Sequence, residues 1–237
     1  MNIIKLKSVN STNTYAKENI DSLADKTIII AEKQTDGRGR FTRKWIDFGY
    51  GNLFMSIVLK PSSEFVNTYS NLTQYLSVVL CKTIESYNVK TQIKWPNDVL
   101  INDKKVAGIL AQTVMQGKIF KGIVLGIGVN LSATQADVAS IKERIVTSLN
   151  LETSADISNF KELLLDNFFK DYDKFLKNGF EFIKNDYISR ISMLNTEVNV
   201  QAINETHTGI AKCISDNGEL ILEQNGKQTL LTIGDIL

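Results

Sequence analysis

Histidine occurs once in this chain, cysteine twice and proline twice. With His207 alone and Cys81 far from Cys213, no Cys/His cluster exists to hold zinc. The two cysteines form no CxxC pattern and no disulfide framework, which points to a reducing compartment. Neither sign of charge is in excess: 27 basic and 26 acidic residues leave a formal net charge of +1. Bulk charge therefore gives no reason to expect nucleic acid or a membrane surface as a partner. No run reaches the ~18 apolar residues of a membrane span, and the residues after Met1 lack the apolar core of a signal peptide. These absences predict a cytoplasmic protein with no DNA and no membrane partner.

What is present is enough apolar material, 43% of 237 residues, to bury a sizeable core. Thr27 to Ala31 and Asn52 to Leu59 read as buried strands. Ser11-Thr12-Asn13 precedes a helix expected over 14–22, and Leu72, Leu76, Val79, Leu80 and Ile84 set one over about 68–87. Val99 to Ile101, Lys105 to Met115 and Lys118 to Val129 are separated by turn residues and predict antiparallel pairing. Helices are expected over 135–148 and 157–187; the aromatic stripe of the second reads as core packing. Beyond Arg190 the segments become short and strand-like (Glu197 to Ile203, Thr208 to Ile214, Glu219 to Glu223, Lys227 to Ile233). They are punctuated by Asp216-Asn217-Gly218 and Asn225-Gly226, which suggests a small β-barrel. A boundary is placed near residue 188.

Three segments are candidates for chemistry. Gln34 to Trp45 follows a strand and carries Gly37-Arg38-Gly39-Arg40 with Arg43 and Lys44. Glycines permit close backbone approach and arginines present forks that match carboxylates and phosphates. The residues alone leave an anion cradle, a solvated loop and a nucleic-acid patch open. Lys94-Trp95-Pro96-Asn97-Asp98 fits an ordinary hairpin turn, and Lys105 behind it reads from pattern as an edge gatekeeper. Gly126-Ile127-Gly128-Val129-Asn130 clears one face of a strand for something flat, or for a close-packed helix.

In this order, Ser11 to Asn13, Gly37 to Arg40, Lys94 to Asp98, Lys105 to Ile109 and Gly126 to Asn130 resemble the catalytic core of biotin protein ligases. The terminal hairpins are similar, in texture alone, to the SH3-like barrel that ends these enzymes. The implied fold is α+β: a mixed or antiparallel sheet with flanking helices, of the class II aminoacyl-tRNA synthetase-like type, over 1–187, and the barrel over 188–237. The sequence departs from the family at Phe41-Thr42, where a glycine commonly follows. Because the Ser-Thr-Asn segment begins at residue 11, no room is left for the helix-turn-helix domain that many bacterial relatives carry. A monofunctional ligase without a repressor role is expected.

The resemblance implies roles. Ser11, Thr12, Asn13, Gln34, Gly37, Arg38, Gly39, Arg40, Lys105, Gly108, Gly126 and Gly128 would hold biotin. Arg38, Arg40, Trp45, Asn97, Asp98, Lys105 and Asn130 would hold ATP, with Asp98 beside Mg²⁺. Arg40, Lys105 and Asp98 would carry the catalysis, Arg38, Arg40 and Lys105 converging where carboxylate meets phosphate. The acceptor would be the biotin carboxyl carrier protein of acetyl-CoA carboxylase, and a homodimer is allowed. Three alternatives compete. A lipoate or octanoyl ligase would lack the Gly-Arg-Gly-Arg run, a nucleic-acid binder would carry a basic excess, and a non-catalytic biotin sensor would not need Lys105.

Overall fold

The computed structural model describes residues 2–41, 43–61, 68–203 and 205–236. Seven strands form one sheet: β1 (Ile3–Leu6), β2 (Thr27–Ala31), β3 (Leu53–Leu59), β4 (Gln92–Lys94), β5 (Asp98–Ile101), β6 (Lys104–Gln116) and β7 (Ile119–Val129). Their spatial order is β1-β2-β3-β7-β6-β5-β4. The sheet is mixed: β1 and β2 run parallel, while the other neighbours are antiparallel. Every residue of β3 is buried, as a strand between two helical layers must be.

Side chains on alternate sides of β2 and β3 face different layers. Ile29 and Val58 meet Ala16 and Ile20, in and just beyond α1 (Thr12–Glu18), on one face. Ile28, Met55, Ile57 and Leu59 face the main core, which holds α2 (Leu72–Glu85) and α5 (Phe160–Asn178). There Tyr75 stacks on Phe175 with ring centroids 4.3 Å apart, and its hydroxyl donates to the Phe168 carbonyl.

Several expected bounds are corrected. The first helix is shorter than 14–22, ending at Glu18 with Asn19 as its cap. The helix expected over 135–148 is α3 (Gln135–Ser140), followed by an extended stretch and then the short α4 (Leu149–Glu152). The stretch stays extended because its backbone bonds go to Lys105: Lys105 N–H donates to Ile145 and Thr147 N–H to Lys105. The helix expected over 157–187 breaks at Gly179 (φ 61°) into a 3-10 turn and α6 (Lys184–Ile188). β1 and β4 carried too little periodicity to be expected: β1 is a half-exposed edge strand and β4 has three residues.

The C-terminal part is a five-stranded antiparallel sheet: β8 (Glu197–Gln201), β9 (Thr206–Ile214), β10 (Leu220–Gln224), β11 (Lys227–Leu231) and β12 (Asp235–Ile236), ordered β11-β10-β9-β8-β12. Among the described residues no pairing joins β11 to β12, so hydrogen bonds do not close it into a barrel. Asn225 and Gly226 both take positive φ (51° and 74°) between the paired Gln224 and Lys227, the two-residue turn their sequence demands. The two sheets share one hydrophobic core, in which Val198, Val200, Leu220 and Leu222 join the α2–α5 cluster. At the seam the Gly218 carbonyl accepts from Gln74 and from Trp95 Nε1.

Candidate active site

Strand register builds the site. Lys94, Asp98, Gly108, Gly128 and Phe54 form one cross-strand row, and directly paired residues share a face of the sheet. Two residues along, Leu110, Gly126 and Ser56 form the next row. The glycines leave a trough on that face, and two side chains lie in it. A methyl on Gly128 would stand 2.5 Å from Trp45 Cε2, and one on Gly108 2.9 Å from Trp45 Cζ3. A methyl on Gly126 would collide with the Asn13 amide. The wall expected beneath biotin thus also seats an indole and an amide from this chain.

Asn13 is fully engaged. Its Nδ2 donates to the Leu110 carbonyl and Gln112 Oε1, and its Oδ1 accepts from Ser56 Oγ at 2.6 Å. Ser56 also reaches Thr12 Oγ1 at 2.8 Å, and Gln34 Oε1 accepts from the Thr12 N–H at 2.8 Å. Ser11, the N-cap of α1, is buried beside them and makes no side-chain cap bond. This braced polar end, with donors and acceptors interleaved, suits a ligand bearing both kinds of group. Ser56 was missed in the sequence, although one hydroxyl inside the apolar run of β3 was a signal.

The charged end lies across the trough. Arg40 Nη1 donates to Asn97 Oδ1 (3.2 Å), the Gly234 carbonyl (2.8 Å) and Asp235 Oδ1 (2.9 Å). Burial pulls its pKa down from the usual value, and Asp235 and Asp98 pull it back up. Asp235 also pairs with Arg43 at 3.1 Å, so β12 holds two arginines of the glycine loop. Lys105 Nζ donates to Asp98 Oδ1 at 2.7 Å and lies 5.5 Å from the Trp45 ring centroid. Lys94, at the end of the row, has its pKa lowered by burial; Asp98 opposes this, and Lys105 and Arg43 add to it.

Of the three cations expected to converge, Arg40 and Lys105 do, on the adjacent Asn97 and Asp98. Arg38 lines the same cleft but is 61% exposed and paired with Asp36 at 3.2 Å. Within the loop, Gly39 N–H donates to Arg43 and Trp45 N–H to Gly37, a small hairpin with no room for a Cβ on Gly37 against the Trp45 carbonyl. Phe41 takes φ 55°, a left-handed conformation unusual for an aromatic residue. Thr42 lies outside the described residues. Asn130 Nδ2 donates to the Thr147 carbonyl, so it orients the 145–149 segment. The cleft lined by Thr12, Asn13, Gln34, Arg40, Asn97 and Lys105 has a cavity volume of about 60 Å³ with Trp45 at its wall.

The model of the Biotin/lipoate A/B protein ligase family matches residues 6–130, the stretch that carries both ends of this trough. The chain belongs to that family. It is 33% identical over 222 residues to the bifunctional ligase/repressor BirA of Bacillus subtilis, covering 92% of this chain and 68% of that protein. It is 30% identical over 223 residues to the biotin–[acetyl-CoA-carboxylase] ligase of Paracoccus denitrificans, with 92% of each covered. Among solved structures, the biotin protein ligase from Aquifex aeolicus in complex with biotin and ATP superposes with a TM-score of 0.83. It is 25% identical and covers 100% of this chain and 97% of that one. The α+β fold read from the sequence is that of these ligases. No helix among the described residues is long and apolar enough to cross a membrane.

Proposed function

We infer that the chain is an ATP-dependent biotin protein ligase, forming biotinyl-5′-AMP and passing biotin to a lysine of a carrier protein. The observation that carries this is one trough with a braced polar end at Thr12, Gln34 and Ser56 and a cationic end at Arg40 and Lys105. One relative named above is a biotin–[acetyl-CoA-carboxylase] ligase, and one structural neighbour, a biotin protein ligase, holds biotin and ATP. Biotin's ureido ring takes the polar end, alongside Ser11, Asn13 and the glycine wall. Its carboxylate then points toward Lys105 and Arg40.

The first step brings a carboxylate onto the α-phosphate of ATP, anion against anion. Lys105 and Arg40 are held beside Asp98 and Asp235 in the free protein, as buried cations require. Substrate oxygens enter this preformed charge network, where low dielectric and fixed geometry make each cation count for more than in water. Trp45 and Asn130 bound the nucleotide side, and Asn97 fixes Arg40. Among the described residues no cluster of three metal-ligating side chains exists. A single carboxylate, Asp98, together with substrate phosphates is the donor set Mg²⁺ commonly uses, so these residues fit it. When bound it would offset phosphate charge. The mixed anhydride hydrolyses in open water, and the loop from Gly37 to Trp45, carrying Arg38 at its rim, covers it. The neutral acceptor amine then attacks the carbonyl and AMP leaves, with Asp98 orienting the amine.

We also propose that residues 1–187 form the catalytic domain and that 188–237, packed against it in one core, supply Asp235. The acceptor is the biotin carboxyl carrier protein of acetyl-CoA carboxylase, and the reaction is cytoplasmic. The test is incubation with labelled biotin, ATP and Mg²⁺, with and without a carrier domain. Labelled biotinyl-AMP and label on the carrier lysine are expected; octanoyl or lipoyl transfer in their place would overturn the reading.

A further inference from the structure

The sheet is not the sole source of cations at this cleft. Arg144 lies in the extended stretch between α3 and α4, outside every motif of the sequence. It lines the trough with Lys105, Gly108 and Gly128, a smaller cavity with Trp45 and Asn130, and a third opening with Arg43, Lys94 and Asp98. Its side chain is 28% exposed against these cavities, whereas Ile145 beside it is 73% exposed. Val146 lines the smaller cavity beside Arg144. Residue 145 is tied to Lys105 by a backbone bond of 3.0 Å, and residue 147 by one of 2.9 Å. Asn130 and Glu152 hold Thr147 from both sides. The backbone that carries Arg144 is thereby tied to Lys105, and the two side chains line the same cavities.

Charge bookkeeping separates Arg144 from its neighbours. Arg40 and Arg43 are answered by Asp235, Lys105 by Asp98, and Arg38 and Lys44 by Asp36. Among the described residues the one ion pair recorded for Arg144 is with Glu143 at 4.0 Å, whose side chain is 82% exposed. Lys94 has no recorded ion pair among the described residues and lines the same opening. Four carboxylates line that opening: Asp98 and Asp235 are engaged by Lys105 and by Arg40 and Arg43, and Glu143 and Asp103 are exposed. Two weakly answered cations thus face one mouth beside Lys105, where a polyanion would leave the α-phosphate position.

We propose that Arg144 is a further nucleotide-binding residue, gripping the β- and γ-phosphates of ATP. This rests on the ligase reading and names the residue that receives the leaving pyrophosphate. In the step it serves, the biotin carboxylate oxygen bonds to the α-phosphorus, the bond to the bridging α–β oxygen breaks, and that oxygen leaves on pyrophosphate with the electron pair. Arg144 contacts the departing charge without exchanging a proton.

The experiment compares Arg144→Ala and Arg144→Lys with the unaltered protein in three readouts: KM for ATP and for biotin, product inhibition by inorganic pyrophosphate and by AMP, and biotin transfer from pre-formed biotinyl-AMP. Loss of one charge-assisted contact should raise the ATP KM and the pyrophosphate inhibition constant about tenfold or more. The biotin KM, AMP inhibition and transfer from pre-formed adenylate should stay put, and lysine should recover part of the loss. An unchanged ATP KM overturns the proposal, as does a matching fall in adenylate transfer, which would make Arg144 a prop of the pocket. Failure of the ligase reading is visible separately, as unaltered protein that forms no biotinyl-AMP. Calorimetric titration of ATP into both proteins then still decides whether Arg144 holds the nucleotide.

Discussion

Gly128 and Arg40 carry the most sharply testable residue-level consequences. A Cβ at 128 would stand 2.5 Å from an indole carbon, so Gly128→Ala must push Trp45 off the trough. We expect weakened binding of biotin and ATP with little change in melting temperature, measured by titration and thermal denaturation; unchanged affinities would mean that the ring is not part of the site. Arg40→Gly removes three bonds to Asn97, Gly234 and Asp235 at once, freeing the loop from β12. The expected outcome is escape of biotinyl-AMP and biotinylation of bystander proteins, read by blotting a mixture with and without the carrier; preserved selectivity would remove the retention role. The site residues were named through the resemblance carried by five ordered motifs; pattern alone left Lys105 an edge gatekeeper and Lys94 to Asp98 an ordinary turn. Gly126 and Gly128, two apart in a strand, must clear one face. Asp235 and Arg144 were not legible. Asp235 comes from a two-residue strand and Arg144 from the link between α3 and α4, and what brings them in is the packing of one sheet on another and a pair of backbone bonds to Lys105.

At the scale of elements, the stretch from α3 to α4 is held by Glu152, whose carboxylate accepts from Thr147 at 2.6 Å, Lys104 at 3.0 Å and Asn102 at 3.0 Å. Burial works to raise its pKa, but those three donors outweigh it and hold the carboxyl below the usual range. A depressed carboxyl contributes stability that is complete above the unfolded-state value, about 4.3 for glutamate, and is lost as pH falls through the folded value. Glu85, beneath the Arg190 fork, and Asp186 behave in the same sense. Thermal stability should therefore fall as pH drops below about 4, and less steeply in Glu152→Gln, which gives up that proton-linked contribution at every pH. Parallel acid profiles for the two proteins would show that Glu152 contributes nothing. The elements themselves illustrate what sequence conveys. β2, β3 and α2 were readable because burial on a sheet or helix face imposes a period. The single helix expected over 135–148 failed because Lys105 takes the backbone of residues 145 and 147 into a β-bridge, a tertiary bond that overrides local preference.

For the whole molecule, the question is whether the C-terminal sheet is an appendage or part of one cooperative unit. A boundary near 188 was drawn from a change of texture, and the texture does change there, from helices to short strands. Packing tells another part of the story. Leu220 and Leu222 are buried in the same cluster as Leu72, Leu76 and Phe168. Asn71 donates to the Asn217 carbonyl at 2.8 Å, Gln74 to that of Gly218, and Arg40 to Asp235. Two units joined by a linker would melt in two steps; units sharing a core and a charge network must melt together. We therefore expect one calorimetric transition. Leu222→Ala should lower that whole transition, costing about 3 kcal/mol, typical of a fully buried leucine. A biphasic melt in which Leu222→Ala moves one phase alone would show that the sheets fold independently. In that case Asp235 would reach Arg40 through a docking equilibrium, and ligase activity would fall at temperatures below those that unfold residues 1–187.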